Sequence, residues 1–232
     1  MSCDWGGRHA PEELLGEWER AHAATLRGPR RREWVRTRLT AKAAVRWATG
    51  YHGTEIVTDR DGAPRISGAP GAVGVSLAHT GTLAACAVSR DGREGPLGVD
   101  IEPVDVRNAV LLPRLLAPGE PPDEWRELAP GLLATILVTC KEAALKAHRR
   151  PSPSLRDYRM WRCPRGRLWV RVAGSGHEDL RVWRSARAGL VTAVCVSGRR
   201  TPARRRVTPD HVLAAVREKA PPLDLTREHP KE

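Results

Sequence analysis

Three carboxylates and two ammonium groups sit in two short motifs of this chain, Gly98-Val99-Asp100-Ile101-Glu102 and Lys141-Glu142-Ala143-Ala144-Leu145-Lys146. That inventory can hold a divalent cation against a pyrophosphate. Carboxylate oxygens suit a hard ion such as Mg²⁺, which takes a few protein ligands and completes its shell with phosphate oxygens and water. Lysines beside it pair with the same phosphates as point charges.

Each motif needs an element to position it. Leu97, Val99 and Ile101 alternate with Gly98, Asp100 and Glu102. This is the period of a strand buried on one face, so the two acids project together from the other. Carboxylates that close repel unless a cation or water separates them; a solvent-facing acidic edge ending at Pro103 would read the same way. The second motif falls in Gly131–Arg149, a stretch with no internal Pro or Gly. There Leu133, Ile136, Leu137, Cys140, Ala144 and Ala147 recur at helical spacing,. Glu142 and Lys146 are then i,i+4 neighbours, for which an ordinary helix salt bridge is the plain alternative.

In this order, about forty residues apart, the two motifs resemble the signature of the Sfp-type 4'-phosphopantetheinyl transferases. Ser76-Leu77-Ala78-His79-Thr80 resembles that family's Ser-x-Ser/Thr-His segment. Arg30-Arg31-Arg32-Glu33-Trp34-Val35-Arg36-Thr37-Arg38 resembles its basic R-x-x-x-F-x-x-x-R helix. Asp61-Gly62-Ala63-Pro64 stands at its Gly-Lys-Pro-like turn. The resemblance implies an α+β fold of two pseudo-twofold-related subdomains, each a small antiparallel sheet packed on a helix, in a monomer with an internal pseudo-dimer. It implies coenzyme A as substrate, lying between the two units, and an acyl, peptidyl or aryl carrier protein as acceptor. Mg²⁺, with Mn²⁺ as the alternative ion, would sit on Asp100, Glu102 and Glu142. Glu142 and Lys146 would be catalytic. Arg30, Arg38, Gly62, Ala63, Pro64, Ala78, His79, Asp100, Lys141 and Lys146 would bind coenzyme A.

The chain departs from the family pattern in several places. Ala78 stands where Ser or Thr is common, Ala63 near a basic position, Val138 for an aromatic, and His148-Arg149-Arg150 for a glycine-containing turn. A catalytically degenerate, coenzyme A-binding relative is the alternative these changes leave open.

Composition bounds the rest. The chain has 232 residues, a formal net charge of +12, eight Trp and no Phe. Such charge calls for an anionic partner. Nucleic acid is the default suspect, yet no helix-turn-helix, zinc-finger or RNA-recognition pattern is present, and no aromatic stacking run lies among the arginines. Coenzyme A and an acidic carrier would use the same charge, so nucleic acid is not the expected partner. A Mg²⁺-dependent nuclease of the PD-(D/E)xK kind needs its E-x-K on a strand, whereas KEAALK reads as helix. Five cysteines without C-x-x-C spacing, three of them in apolar runs (Cys86, Cys140, Cys195), read as reduced thiols in a cytoplasmic protein,. No apolar run reaches membrane-spanning length.

An internal echo concerns architecture. Gly81–Ser89 resembles Gly189–Ser197, each an apolar strand-like run opened by Gly and closed by Ser,. The expected organisation is an N-terminal half over 1–103, a C-terminal half over 104–198, and a basic linker, short helix and disordered tail over 199–232. Helices are expected at Pro11–Ala24, Arg30–Thr49, Gly131–Arg149 and Asp210–Lys219, the last capped by Thr208 with Pro209 in its first turn. Two short helical stretches are expected between Pro103 and Pro130. Strands are expected at Thr54–Thr58, Gly74–Leu77, Leu83–Val88, Leu97–Glu102, Leu168–Val172, Asp179–Trp183 and Leu190–Val196.

Overall fold

A computed structural model gives the chain an α+β fold whose two main sheets are each centred on one of the glycine-opened runs. It describes residues 1–68, 73–90, 95–118, 120, 125, 127–149, 154–163, 165–172, 179–197 and 201–217. The strands are β1 (Ser2–Asp4), β2 (Glu55–Thr58), β3 (Pro64–Ser67), β4 (Gly74–Thr80), β5 (Leu83–Ser89), β6 (Leu97–Pro103), β7 (Tyr158–Arg162), β8 (Leu168–Val172), β9 (Leu180–Arg187), β10 (Leu190–Val196) and β11 (Arg206–Val207). The helices are α1 (Glu17–Thr25), α2 (Gly28–Thr49), α3 (Leu112–Leu115), α4 (Pro130–His148) and α5 (Pro209–Arg217). No helix among the described residues is long and apolar enough to cross a membrane.

The same connectivity occurs twice. The first sheet has the order β11-β1-β5-β4 and the second β6-β10-β9-β8-β7, while β2 and β3 form a separate ribbon. In each unit an opening strand leads to a long helix, then to two hairpins, and the last strand pairs back antiparallel to the first: β5 to β1 and β10 to β6. Helix α2 packs on β5, and α4 on β6 and β10. The echoing runs are therefore equivalent strands. Ala84 and Cys86 face α2, and Ala193 and Cys195 face α4.

A buried ion-pair clamp marks the repeat independently. In the first unit the Glu19 carboxylate accepts from Gly16 N–H, from the strand amide of Ile56 and from Lys42 Nζ on α2, the last at 2.7 Å. In the second, Glu120 accepts from Ala117 N–H, from the strand amide of Met160 and from Lys141 Nζ on α4, also at 2.7 Å. Both glutamates accept from an amide three residues earlier, a helix lysine and a hairpin strand. Both lysines follow a buried threonine, in Thr40-Ala41-Lys42 and Thr139-Cys140-Lys141.

Several elements differ from expectation for local reasons. Helix Pro11–Ala24 is split into a 3-10 turn at Glu12–Leu14 and α1. Gly16 breaks it: Glu19 caps its N–H, and a side chain there would overlap Glu55. Strands β1, β3 and β7 are too short or too polar to stand out in the sequence. The short helical stretches appear as a 3-10 segment, Val106–Leu111, running into α3. Strand β6, expected in the first half, hydrogen-bonds along its length to β10 and so opens the second unit. Beyond residue 200, Arg206–Val207 pairs parallel to β1, and α5 returns to pack Val212 and Leu213 against the first unit's core. Thr208 caps α5 as expected, its Oγ1 accepting from His211 N–H at 3.5 Å. The tail expected to be disordered, 221–232, lies outside the described residues. All five cysteines are free thiols, four of them buried.

Strand β6 is the element that matters for chemistry, and it is covered on both faces. Val99 and Ile101 pack with Ala78 and Ala85 of the first sheet. The Val99 amide donates to Ser76 Oγ at 3.0 Å, tying β6 to β4. The other face lies under α4, and contact there is closest at Gly98. A Cβ at that position would overlap the Ala143 carbonyl and the Ala147 amide. Glycine at 98 lets helix and strand approach backbone to backbone.

Candidate active site

Two-residue alternation puts Asp100 and Glu102 on the same face of β6 as Gly98, under the last turns of α4. The two sequence motifs meet there. Lys146 Nζ donates to Asp100 Oδ1 at 2.7 Å. Asp100 is buried, and its second oxygen, Oδ2, is buried with no hydrogen-bond partner among the described residues. Glu102 is half-buried, and burial, reinforced by the neighbouring Asp100 and Glu142 charges, pushes its carboxyl up to about 7 against the pull of Lys146. Burial and Asp100 raise Glu142 in the same way, again opposed by Lys146. Three carboxylates thus crowd one ammonium group.

That donor set suits a hard divalent ion. A cation would satisfy the orphaned oxygen of Asp100 and relieve the repulsion that keeps Glu102 and Glu142 reluctant to ionise. Among the described residues no three His, Cys, Asp or Glu side chains are drawn together as a finished metal cage.

The neighbouring first unit supplies basic groups. Arg38, on α2, is only 7% exposed. Its guanidinium lies 4.5 Å from the Trp34 ring centroid, reaches Thr58 Oγ1 at 3.4 Å, and leaves Nε buried without a partner among the described residues. Burial lowers its pKa to about 10, still well above neutrality. A desolvated cation with an unused donor is suited to an anion. His79, on β4, lies 3.8 Å from Glu33 through Nδ1. Burial lowers its pKa, with Lys146 and Arg38 pushing the same way and Glu33 and Asp100 opposing, so the imidazole is neutral at pH 7. Those same charges couple His79 to both units. Arg30 lies exposed on the first turn of α2.

The turn at Gly62-Ala63-Pro64 closes the β2–β3 hairpin. Asp59 N–H donates to Ala63 O at 2.8 Å, and Gly62 has φ +82°, a conformation that favours glycine,. Arg149, which ends α4, reaches this turn, lying 3.7 Å from Asp59 Oδ2 and donating to Pro64 O at 3.4 Å. The tip of the KEAALK helix is thereby tied to the hairpin of the other unit.

Two expected site residues point elsewhere. Ala78 is buried against Ala85, Val99 and Ile101, because strand alternation sends it to the face opposite His79. Lys141 is completely buried, with its Nζ held by Glu120 at 2.7 Å and by Leu115 O at 2.6 Å, so its ammonium is already engaged inside the second unit. Burial lowers its pKa, opposed chiefly by Glu120. Sequence reasoning missed Glu120, which stands in a proline-rich stretch while its ion partner lies 21 residues further on in α4. The repeated Thr-x-Lys in α2 and α4 is the signal that could have marked Lys141 as structural.

Among the described residues the repeat carries the acidic site in one unit only. Matching Lys42 to Lys141 puts Ala43 and Trp47 where the second unit has Glu142 and Lys146. The Trp5 amide donates to Thr82 O as the Val104 amide donates to Gly189 O, which puts Met1 and Cys3 at the positions of Asp100 and Glu102. Cys3 and Ala43 are core residues of the first unit, with Met1 and Trp47 packed against them. The second unit carries charge where the first carries apolar packing.

No protein-family model matches the chain, and no curated protein sequence matches it significantly. Solved structures do. They include a holo-ACP synthase from Plasmodium yoelii, 20% identical, with a TM-score of 0.34, covering 45% of this chain and 95% of that one. The holo-[acyl-carrier-protein] synthase of Neisseria meningitidis is 18% identical over 45% of this chain and 98% of its own, with a TM-score of 0.37. The Plasmodium yoelii acyl carrier protein synthase with ADP bound gives 20%, 45%, 96% and 0.36 for the same quantities. These likenesses are partial, and at such TM-scores they fix neither the activity nor the site; the solved structures this chain is similar to are holo-ACP synthases.

Proposed function

We propose that this protein transfers 4'-phosphopantetheine from coenzyme A to a serine of an apo carrier protein. The observation that carries the reading is the bridge from Lys146 of KEAALK to Asp100 of GVDIE, with Glu102 and Glu142 crowded beside it. Arg38 and His79 would receive phosphate groups of coenzyme A, Arg38 through its unused buried donor. The Gly62-Ala63-Pro64 turn, held to α4 by Arg149, would border the same ligand. Lys146 would exchange part of its contact with Asp100 for the pyrophosphate. Lys141 acts as a positioning residue, fixing the face that α4 presents to β6.

Asp100, Glu102 and Glu142 would hold Mg²⁺ or Mn²⁺, which supplies charge neutralisation on phosphate oxygens. The serine oxygen forms a bond to the β-phosphorus as the bond from that phosphorus to the oxygen of 3',5'-ADP breaks. By analogy with the family the chain resembles, Glu142 takes the serine proton, directly or through a water molecule. For the carrier, Val106 and Val110 provide an apolar ridge directly after β6, being 81% and 79% exposed. An acidic carrier helix laid there would bring its serine towards Glu102 and Glu142.

The test is incubation with coenzyme A, Mg²⁺ and a panel of apo-carrier proteins, read by mass spectrometry for the phosphopantetheine increment. Wild type should add it and a folded Asp100→Ala variant should not. Coenzyme A binding without transfer to any carrier would favour the degenerate relative instead.

A further inference from the structure

The outer face of the second sheet, turned away from α4, carries a pattern that the proposed transfer leaves unused. Strand alternation gathers Arg159 and Trp161 from β7, Trp169 and Arg171 from β8, and Arg181 and Trp183 from β9 on that face. The register pairs Arg159 with Arg171, Trp161 with Trp169, and Trp169 with Arg181. The Trp161 and Trp169 rings stack with centroids 6.2 Å apart. Arg171 lies 5.8 Å from the Trp161 centroid and Arg181 lies 3.7 Å from that of Trp183.

Two concavities open here. One of about 330 Å³ is lined by Arg159, Trp161 and Arg171. The other, of about 500 Å³, is lined by Trp161, Cys163, Arg165, Arg167 and Trp169. Asp179, beside this face, is bound to Arg171 through two bonds of 2.7 Å. The indole N–H groups of Trp161 and Trp183 have no partner among the described residues. Burial and the nearby Arg167 lower the pKa of Arg181, a sign of crowded positive charge.

We infer that this tryptophan–arginine face binds single-stranded nucleic acid. Bases stack on aromatic rings in a sequence-tolerant way while arginines track the phosphates. Three adjacent strands, about 4.8 Å apart, spread the rings over about 10 Å, room for two or three bases. An acidic peptide would answer the arginines and leave the ring faces unmatched; a single strand answers both. The face lies at the β7 edge of the sheet, away from β6, and the inference does not depend on the transferase reading.

The measurement is fluorescence anisotropy of a labelled mixed-sequence twelve-nucleotide single strand, as DNA and as RNA, at physiological salt. Heparin, a polyanion without flat rings, and polyglutamate serve as competitors. Wild type should bind one or both single strands, and Trp161→Ala/Trp169→Ala should weaken that binding at least about tenfold, while changing heparin binding less than twofold. Equal losses for oligonucleotide and heparin would reduce the face to a charge patch and overturn the inference. Polyglutamate binding that depends on the same tryptophans would overturn it in favour of an acidic protein. Should the double variant unfold, ultraviolet crosslinking to wild type decides: adducts in residues 158–172 or 180–187 support the face, and adducts confined elsewhere refute it.

Discussion

Lys141 and Lys146 belong to one six-residue motif, and their substitutions should have opposite consequences. Lys141→Met removes an ammonium group that is wholly buried, with Glu120 and Leu115 O as its acceptors. Glu120 is equally buried and would keep only its two amide donors, from Ala117 and Met160. Breaking one side of such a pair leaves an uncompensated charge and costs about 3–5 kcal/mol. At about 2–4 °C per kcal/mol for a chain of this size, the melting temperature should drop by about 6–20 °C. The double variant Lys141→Met/Glu120→Gln should recover much of that loss, since no buried charge remains. Coenzyme A affinity of the folded fraction, measured by calorimetry well below the melting temperature, should stay within about twofold of wild type. A Lys141→Met protein with unchanged melting but weakened coenzyme A binding would refute this, because it would mean that Nζ leaves Glu120 to meet the ligand.

Other expectations follow from the same contacts. Lys146→Ala should raise the KM for coenzyme A, since a charge-assisted contact to a buried phosphate contributes about 1.5–3 kcal/mol; it also takes the ion partner from buried Asp100, so metal-free melting should fall, though less than for Lys141→Met because Lys146 is partly exposed,. It should also move the lower limb of the kcat–pH profile upward, because Lys146 is the group that holds Glu142 and Glu102 down. Gly98→Ala should cost at least about 2 kcal/mol in urea melts, since the added Cβ meets the backbone of α4; an unchanged midpoint would show that helix and strand are not in direct contact. A carboxyl whose pKa rises on folding holds its proton more tightly in the native state, so Glu102 subtracts stability as pH rises from 4.5 through about 7,. In metal-free buffer Glu102→Gln should therefore exceed wild type by about 1–2 kcal/mol at pH 8, allowing for solvent around this half-buried group. The difference should vanish below the ordinary carboxylate range.

Much of the chemistry was legible along the chain, because alternation and helical spacing are local properties. The pairing of Asp100 with Glu102 on one strand face, the KEAALK helix, the central strands and the echo between two of them all follow from such periods. Periodicity gives the phase of a side chain within its element; it does not say what stands opposite. Lys141 and Lys146, five residues apart, point about 140° from each other around α4. Only packing reveals that one meets Glu120 and the other Asp100. Ala78 and His79 are neighbours in sequence, and the two sides of β4 send one into the seam with β6 and the other towards α2. The tryptophans and arginines of the second sheet form no run in the sequence, since they come from three strands and become a single surface only through cross-strand register. The restriction of the acidic site to one of two similar units was likewise hidden. Met1, Cys3, Ala43 and Trp47 share no residue type with Asp100, Glu102, Glu142 and Lys146, and the equivalence emerges only when strand pairing and the buried Glu–Lys clamps superimpose one unit on the other.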